Sequence, residues 1–459
     1  MGASFIFATR IAFSAENAET ILRDIPALPG VFALYGAQEN AEPYLTRAAD
    51  IRRRMKRLLA PPESQSKRLN LRDRVAHIEY TVTGSEFEST LTLYYAAAAI
   101  FGYAEARRRL RLHTPTVLRM TMENTFPRVY ATNRLSKRGL AEMYGPFPSR
   151  AAAERYCDAV LDLFKLRRCH EELQPYPEHP GCVYGEMHKC IEPCKQACTA
   201  EQYAAEAASV KAFFDTRGES MLSQIAVERD RASEEMEFER AATLHEQYQK
   251  VKAAAALADE IVRPVPRLRA VIVQKGAEVE EIRDAADAAI FLLEGGCLVG
   301  PERVSTLGVR AVKEQTSVGS SLFAQPLMLQ AVPLEGETVD PVNSPEDRAK
   351  AALQRLEEGA RPSNDIAMLS DHLSLMRRWY YRPEKQRAGE IFFPNADGSW
   401  PVRRILNATA RVVLGDPRTV AGVDREGAKK IAKDVKTRVL HEGRPDVERV
   451  VPVIERGNR

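Results

Sequence analysis

The chain has 459 residues, 44% of them hydrophobic and 28% charged, with a formal net charge of +3. That length exceeds one ordinary core and sets an expectation of about three domains. The composition is that of a soluble globular protein, with neither an internal repeat nor a long low-complexity tract. Seven cysteines, an odd number and most of them crowded together, with no signal peptide, point to the reducing cytoplasm rather than to a disulfide framework. The most apolar run, 91–104, is too short to span a membrane and reads as a buried helix, so no membrane association is expected.

Residues 29–36 read as a strand entered by a Pro29-Gly30 turn and closed by Gly36. Residues 48–59 are helical in pattern, with Ile51, Met55 and Leu58 on one face and arginines between them. Residues 76–85 alternate and end in Thr83-Gly84-Ser85, a strand and turn, and a long helix follows from about Glu86 through the alanine run. Together these make a small α/β unit. From Tyr44 to Val75 there are ten Lys/Arg against three Asp/Glu, a local excess of +7. Such a patch is an electrostatic footprint for nucleic acid, with a solvated basic helix face as the alternative.

Residues 117–129 read as a strand pair broken at Glu123-Asn124, and 144–149 as a turn whose Ser149 caps a helix starting near Arg150. Its stripe of Tyr156, Val160, Leu163 and Phe164 leads to four cysteines spaced C-x12-C-x7-C-x3-C: Cys169, Cys182, Cys190 and Cys194. Four thiolates within 26 residues can close a tetrahedral site for zinc or an iron–sulfur cluster, although zinc ribbons usually pair their ligands as CxxC. Cys198 continues the spacing as a substitute ligand or a spare thiol, and Cys157 and Cys297 read as core residues.

A helix begins at Thr199, and a second, single helix is expected over 223–259 with Ala241, Leu244, Tyr248 and Val251 on one stripe. Phe238 sits in it between Glu237 and Glu239. An exposed ring there would be a docking element, and a buried one would merely extend the stripe. Pro264 and Pro266 mark a linker. Strands are expected over 268–274 and 289–299 around an acidic insertion, with Gly295-Gly296 as a turn, then a Pro-rich stretch at 332–345 and helices over 346–358 and 364–380.

Three of these runs together resemble the UvrC family of excision-repair proteins. Pro29-Gly30-Val31-Phe32 with Tyr44-Leu45-Thr46-Arg47-Ala48, continued by Ile78 to Thr83 and Ser85 to Glu88, is similar to that family's GIY-YIG nuclease opening. Phe126-Pro127-Arg128-Val129, Tyr144 to Ser149 and Leu166-Arg167-Arg168-Cys169 are similar to the stretch joining nuclease to cysteines. Residues 232–244 resemble the UVR motif, by which UvrC and UvrB associate.

The resemblance implies an α/β (α+β) multidomain chain: a GIY-YIG-like domain over 20–105, linking strands and the cysteine segment over 106–200, a UVR hairpin over 201–262, and a degenerate RNase H-like and helical region over 263–459. It implies a cytoplasmic excinuclease subunit of nucleotide excision repair that binds damaged DNA and a UvrB-type partner. Tyr44 and Arg54 would be catalytic, and Arg47, Arg52, Arg53, Lys56 and Arg57 would contact DNA. The four cysteines would hold a 4Fe–4S cluster, with zinc as the alternative, and Glu237, Phe238, Glu239, Ala241 and Leu244 would bind the partner.

Mg²⁺ or Mn²⁺ would be needed only by an active nuclease, and this sequence departs from the family there. The first motif Tyr is Phe32, the Gly of YIG is Thr46, and the metal-binding Glu falls on Leu93. Without that anchor many decades of rate are lost, so the expected site is degenerate unless Glu86 or Glu88 substitutes. A non-catalytic DNA-binding adaptor is the alternative function. Further on, 270–273 and 292–300 resemble the entry strands of the family's RNase H-like domain, without a recognisable Asp-bearing strand. Residues 420–431 only faintly match a helix-hairpin-helix and read better as a basic capping helix.

Overall fold

In the computed structural model the described residues are 5–38, 41–61, 69–277, 288–306, 309–311, 344–360, 365–383, 386–414, 435–439 and 447–451. Every strand pair among them is antiparallel, and helices pack on the sheets, which makes the chain α+β.

The first unit is a four-stranded sheet in the order β1 (Thr9–Ala12), β4 (Val75–Val82), β2 (Gly30–Gly36), β3 (Tyr44–Ala48). Its helices are α1 (Ala18–Asp24), α2 (Ile51–Leu59), α3 (Glu86–Phe101) and α4 (Tyr103–Leu110). Strand β2 is a continuous apolar run because both of its faces are covered. Phe32 and Leu34 pack with Ile51, Met55 and Leu58, and Val31 and Ala33 pack with Ala96 of α3. The Pro29-Gly30 turn needs its glycine: a Cβ at Gly30 would lie 2.5 Å from the carbonyl oxygen of Thr81 on β4. Asp50 and Ser85 cap α2 and α3, accepting hydrogen bonds from the amides of Arg53 and Glu88. The helix expected from residue 48 therefore starts at Ile51, since β3 holds Ala48 in register with Gly30.

The middle sheet runs β6 (Val129–Thr132), β5 (Thr116–Met120), β7 (Met143–Phe147), β8 (Arg263–Pro264). Helix α5 (Arg150–Leu161), capped by Ser149 as expected, lies against it. The cysteine segment holds the short α6 (Val183–Glu186), and α7 (Ala200–Thr216) follows behind a Thr199–Gln202 capping box. The single helix expected over 223–259 is two helices, α8 (Glu219–Glu234) and α9 (Phe238–Ala255). Met236 takes a left-handed backbone (φ 59°), and the Glu237 amide closes back on the Ala232 carbonyl at 2.8 Å. The expected stripe of Ala241, Leu244, Tyr248 and Val251 lies wholly on α9.

The third unit is a meander, β11 (Cys297–Val304), β10 (Ala288–Glu294), β9 (Arg269–Lys275), edged by β13 (Glu390–Phe392). The turn expected at Gly295-Gly296 is present, with both glycines at positive φ, and it joins the antiparallel strands β10 and β11. Helices α10 (Pro345–Gly359) and α12 (Val402–Leu414) cover one face. Helix α11 (Ile366–Tyr380) packs into a core that runs without a break through α3, the middle sheet, α5, α7 and α9. A backbone sheet of β12 (Arg310–Ala311), β14 (Val435–Val439) and β15 (Val447–Val451) completes the described elements. The Pro-rich stretch up to 343 and the residues 420–431 lie outside the described residues. No described helix is long and apolar enough to cross a membrane.

Candidate nucleic-acid interface and cysteine centre

Opposed residues on antiparallel strands share a face. The β2–β3 register sets Phe32 opposite Thr46 and Leu34 opposite Tyr44, so these side chains lie on the α2 face of the sheet. There the Nη2 of Arg54 donates to the Tyr44 hydroxyl at 3.0 Å, and the Phe32 ring centroid is 6.4 Å from that of Tyr44. The fold thus brings Phe32, Tyr44 and Arg54 together.

Leu93 is elsewhere. It packs with Val31, Ala33 and Ala96 on the opposite face, with the sheet between it and the Tyr44–Arg54 pair. The two substitute carboxylates are occupied as well. Glu88 is 3% exposed, accepts from the Gly84 amide at 2.7 Å and pairs with Arg303 of the third unit at 2.9 Å. Burial raises its pKa above the ordinary carboxylate value, against the pull of Arg303. Glu86 is clasped by Arg382 at 2.6 Å and Arg47 at 3.0 Å, and their hydrogen bonds, led by Arg382, hold its carboxyl at about 2. The idea that Glu88 replaces the missing metal ligand is corrected by this geometry: it is a buried strut between two units.

Helix α2 buries Ile51, Met55, Leu58 and Leu59 and turns Arg53, Lys56 and Arg57 to solvent. Among the described residues none of these three cations pairs with a carboxylate. Arg52 is spent on the Ile25 carbonyl, and Arg54 on Tyr44. Arg47, paired in register with Val31, leaves this group for the opposite face and Glu86.

The four cysteines converge from separate turns. Left-handed backbones at His188, Glu192 and Gln196 fold the segment back on itself. Cys190 and Cys194 are buried, and Cys169 and Cys182 are half-buried. Burial and the nearby thiols of Cys182, Cys169 and Cys194 push Cys190 up to about 12, against a backbone hydrogen bond at Glu192. Cys194 is raised by the same causes, whereas Cys198 feels only burial and Cys194. Arg167, which the sequence placed beside the cysteines without a role, points its Nη1 at the Cys169 sulfur at 3.6 Å. Tyr203 of α7 ties the segment down: its hydroxyl donates to the Pro127 carbonyl at 2.8 Å and accepts from the Arg167 amide at 3.2 Å. No group of three or more His, Cys, Asp or Glu among the described residues is arranged to hold a metal ion in this conformation.

On the α8–α9 hairpin, Phe238 is 68% and Met236 76% exposed, and Glu237 and Glu239 are exposed beside them. Ala241 is half-buried, and Leu244 is buried in the shared core with Val251. Of the five proposed partner-binding residues, Leu244 therefore supports the hairpin from inside.

Sequence reasoning missed the polar centre of α11. Asp371, 1% exposed, accepts from Arg107 Nε at 2.6 Å and from the Tyr94 hydroxyl at 3.1 Å. The Nδ1 of neighbouring His372 accepts from the Leu298 amide at 3.0 Å, and burial lowers its pKa to about 4. An Asp-His pair in the middle of an otherwise apolar helical stripe was the available signal.

Comparison with known proteins bears on the whole arrangement. Residues 116–213 match the family described as UvrC/Cho excinuclease, middle domain. The chain is similar to UvrABC system protein C of Koribacter versatilis, 29% identical over 255 residues, 52% of this chain and 40% of that protein. To the protein of that name from Actinobacillus pleuropneumoniae it is 26% identical over 238 residues, 52% of this chain and 38% of the other. To that of Dehalococcoides mccartyi it is 22% identical over 299 residues, 65% and 48%. The chain thus spans about two fifths to a half of the length of these relatives. No solved structure matches it.

Proposed function

The chain is a member of the UvrC family, and from that premise we propose that it is a cytoplasmic UvrC-type subunit of nucleotide excision repair that binds damaged DNA without cutting it through its GIY-YIG-like unit. One observation carries this reading. The Tyr44–Arg54 pair and the free cations of α2 share a sheet face, while the position of the metal-binding carboxylate is Leu93, packed against Val31 and Ala33 on the other face. Arg53, Lys56 and Arg57 would contact phosphates, with Arg52 and Arg54 bracing the helix that presents them; Arg47 would act only where it leaves Glu86.

The unit over 20–105 is the GIY-YIG-like domain in this proposal, 106–200 the connector, 201–262 the UVR hairpin, and 263–459 the RNase H-like and helical remainder. Phe238, flanked by Glu237 and Glu239 and backed by Ala241, would enter a groove on a UvrB-type partner. Cys169, Cys182, Cys190 and Cys194 would hold a 4Fe–4S cluster, zinc being the alternative. The mutual repulsion among these sulfurs, which a bound cation would relieve, supports this reading, as does the Arg167 guanidinium at Cys169. A cluster there would brace the connector against α7.

The second reading, incision with Mg²⁺ or Mn²⁺ as cofactor, draws its support from the retained Tyr44–Arg54 hydrogen bond. Nicking of a lesion-bearing duplex, with and without UvrB and in either metal, separates the two. Binding without a nick supports the adaptor; a site-specific nick lost in Arg54→Ala establishes the nuclease in its place.

A further inference from the structure

Between the middle sheet and the first turn of α11 lies an open groove of about 910 Å³. Its walls include Arg107, Asn133, Arg134, Lys137, Asp365 and Ser370. The adjoining segment 128–138 carries four cations, Arg128, Arg134, Lys137 and Arg138, and no acid. Arg134 and Lys137 are exposed, and among the described residues neither side chain meets a carboxylate. The groove's own acid does not oppose them strongly, because Asp365 caps α11 and accepts from the amides of Ala367 and Met368 at 2.8 and 3.4 Å.

Its neutral groups are held in place. The Asn133 Oδ1 accepts from Thr116 Oγ1 at 3.2 Å, and the Ser370 hydroxyl donates to Thr114 Oγ1 at 2.8 Å. Two exposed cations beside an open trough, whose lining mixes the Asn133 amide and the Thr114 and Ser370 hydroxyls with Leu135, Ile366 and Ala367, suit a phosphodiester chain better than a small anion, which needs enclosure.

We propose that this groove binds the sugar–phosphate backbone of a nucleic acid through Arg134 and Lys137, as a contact separate from the α2 face. This rests on the DNA-binding reading above and gives it a second surface. Helix α4 relates the two: Arg107 lines the groove, and Arg109 pairs at 2.8 Å with Glu42, two residues before Tyr44. Arg107 and Arg109 are two residues apart on this helix and so face opposite sides of it, which keeps the groove and the α2 face as separate contacts.

The test uses the full chain and a labelled duplex, with affinity followed by anisotropy between about 50 and about 200 mM salt. Arg134→Gln/Lys137→Gln is expected to bind more weakly and to make the log–log salt slope shallower by about 2, close to 0.9 for each phosphate contact. Arg134→Glu/Lys137→Glu should bind more weakly still. An α2 variant, Arg53→Gln/Lys56→Gln, should lose a similar slope independently, and the combined variant should lose both. If the wild type binds and only the α2 variant changes, the groove is not a contact and the proposal is overturned. A wild type that binds no duplex at any salt overturns the DNA-binding reading itself and this proposal with it.

Discussion

Acidification should weaken the junction between the first and third units through one side chain. His372 is buried where α11 meets β11, with its ring edge-on to Tyr94 and Tyr95, and its Nδ1 takes the Leu298 amide proton. The ring proton is therefore on Nε2, which among the described residues has no hydrogen-bond partner, and a second proton would have to displace the Leu298 amide from Nδ1. Burial moves the folded-state pKa from 6.5 to about 4. The sign follows from proton counting. Between these values the unfolded chain binds the proton and the folded chain does not, so this contribution is complete above pH 6.5 and is lost as pH falls towards 4. At about 1.4 kcal/mol per unit the loss is about 3 kcal/mol. His372→Leu removes it, but leaves the Leu298 amide unpaired at a cost of about 1–3 kcal/mol. The variant should thus be the weaker protein at neutral pH and should equal or exceed the wild type near pH 4. Trp379 lies on the same helix, 5.2 Å from Phe87 of α3, and reports the junction when Trp400 is replaced by Phe. Urea unfolding followed by Trp379 emission across this range supplies the comparison, in which carboxylates common to both proteins cancel. Parallel pH profiles would refute the reasoning.

Glu88→Ala should destabilise the chain by about 1–3 kcal/mol, because it leaves the Gly84 amide without its acceptor and takes from Arg303 its carboxylate partner; a melting curve checks this, and a change within about 0.5 kcal/mol would remove its role as a strut. Phe238→Ala should leave unfolding within about 0.5 kcal/mol of wild type, the ring being mostly exposed, while weakening capture of UvrB; unchanged capture would end the docking assignment. In protein purified without oxygen, Cys190→Ser should lose most of the bound iron and Cys198→Ser should keep it, since Cys198 neighbours only Cys194. Equal iron in all three proteins would show that the thiols do not hold the cluster.

What could be read in the sequence was local, and what could not was relational. Ser149 and Thr199, acting within three residues of themselves, announced α5 and α7, and apolar runs announced α2 and α3, whose caps Asp50 and Ser85 went unread. The break at Met236 was hidden, because the stripe of Ala241, Leu244, Tyr248 and Val251 lies wholly on α9 and does not say where that helix begins; the turn at Gly295-Gly296 was legible from its paired glycines. Charge counting placed Arg47 with the α2 cations, although alternation along β3 sends it through the sheet to Glu86. The same parity governs position 93. A carboxylate restored by Leu93→Glu would emerge among Val31, Ala33 and Ala96, behind the sheet from Tyr44 and Arg54. It would bury a charge without completing a metal site. Position 93 is therefore committed to packing, on a helix α3 that serves the core and, through Glu88 and Arg303, the third unit.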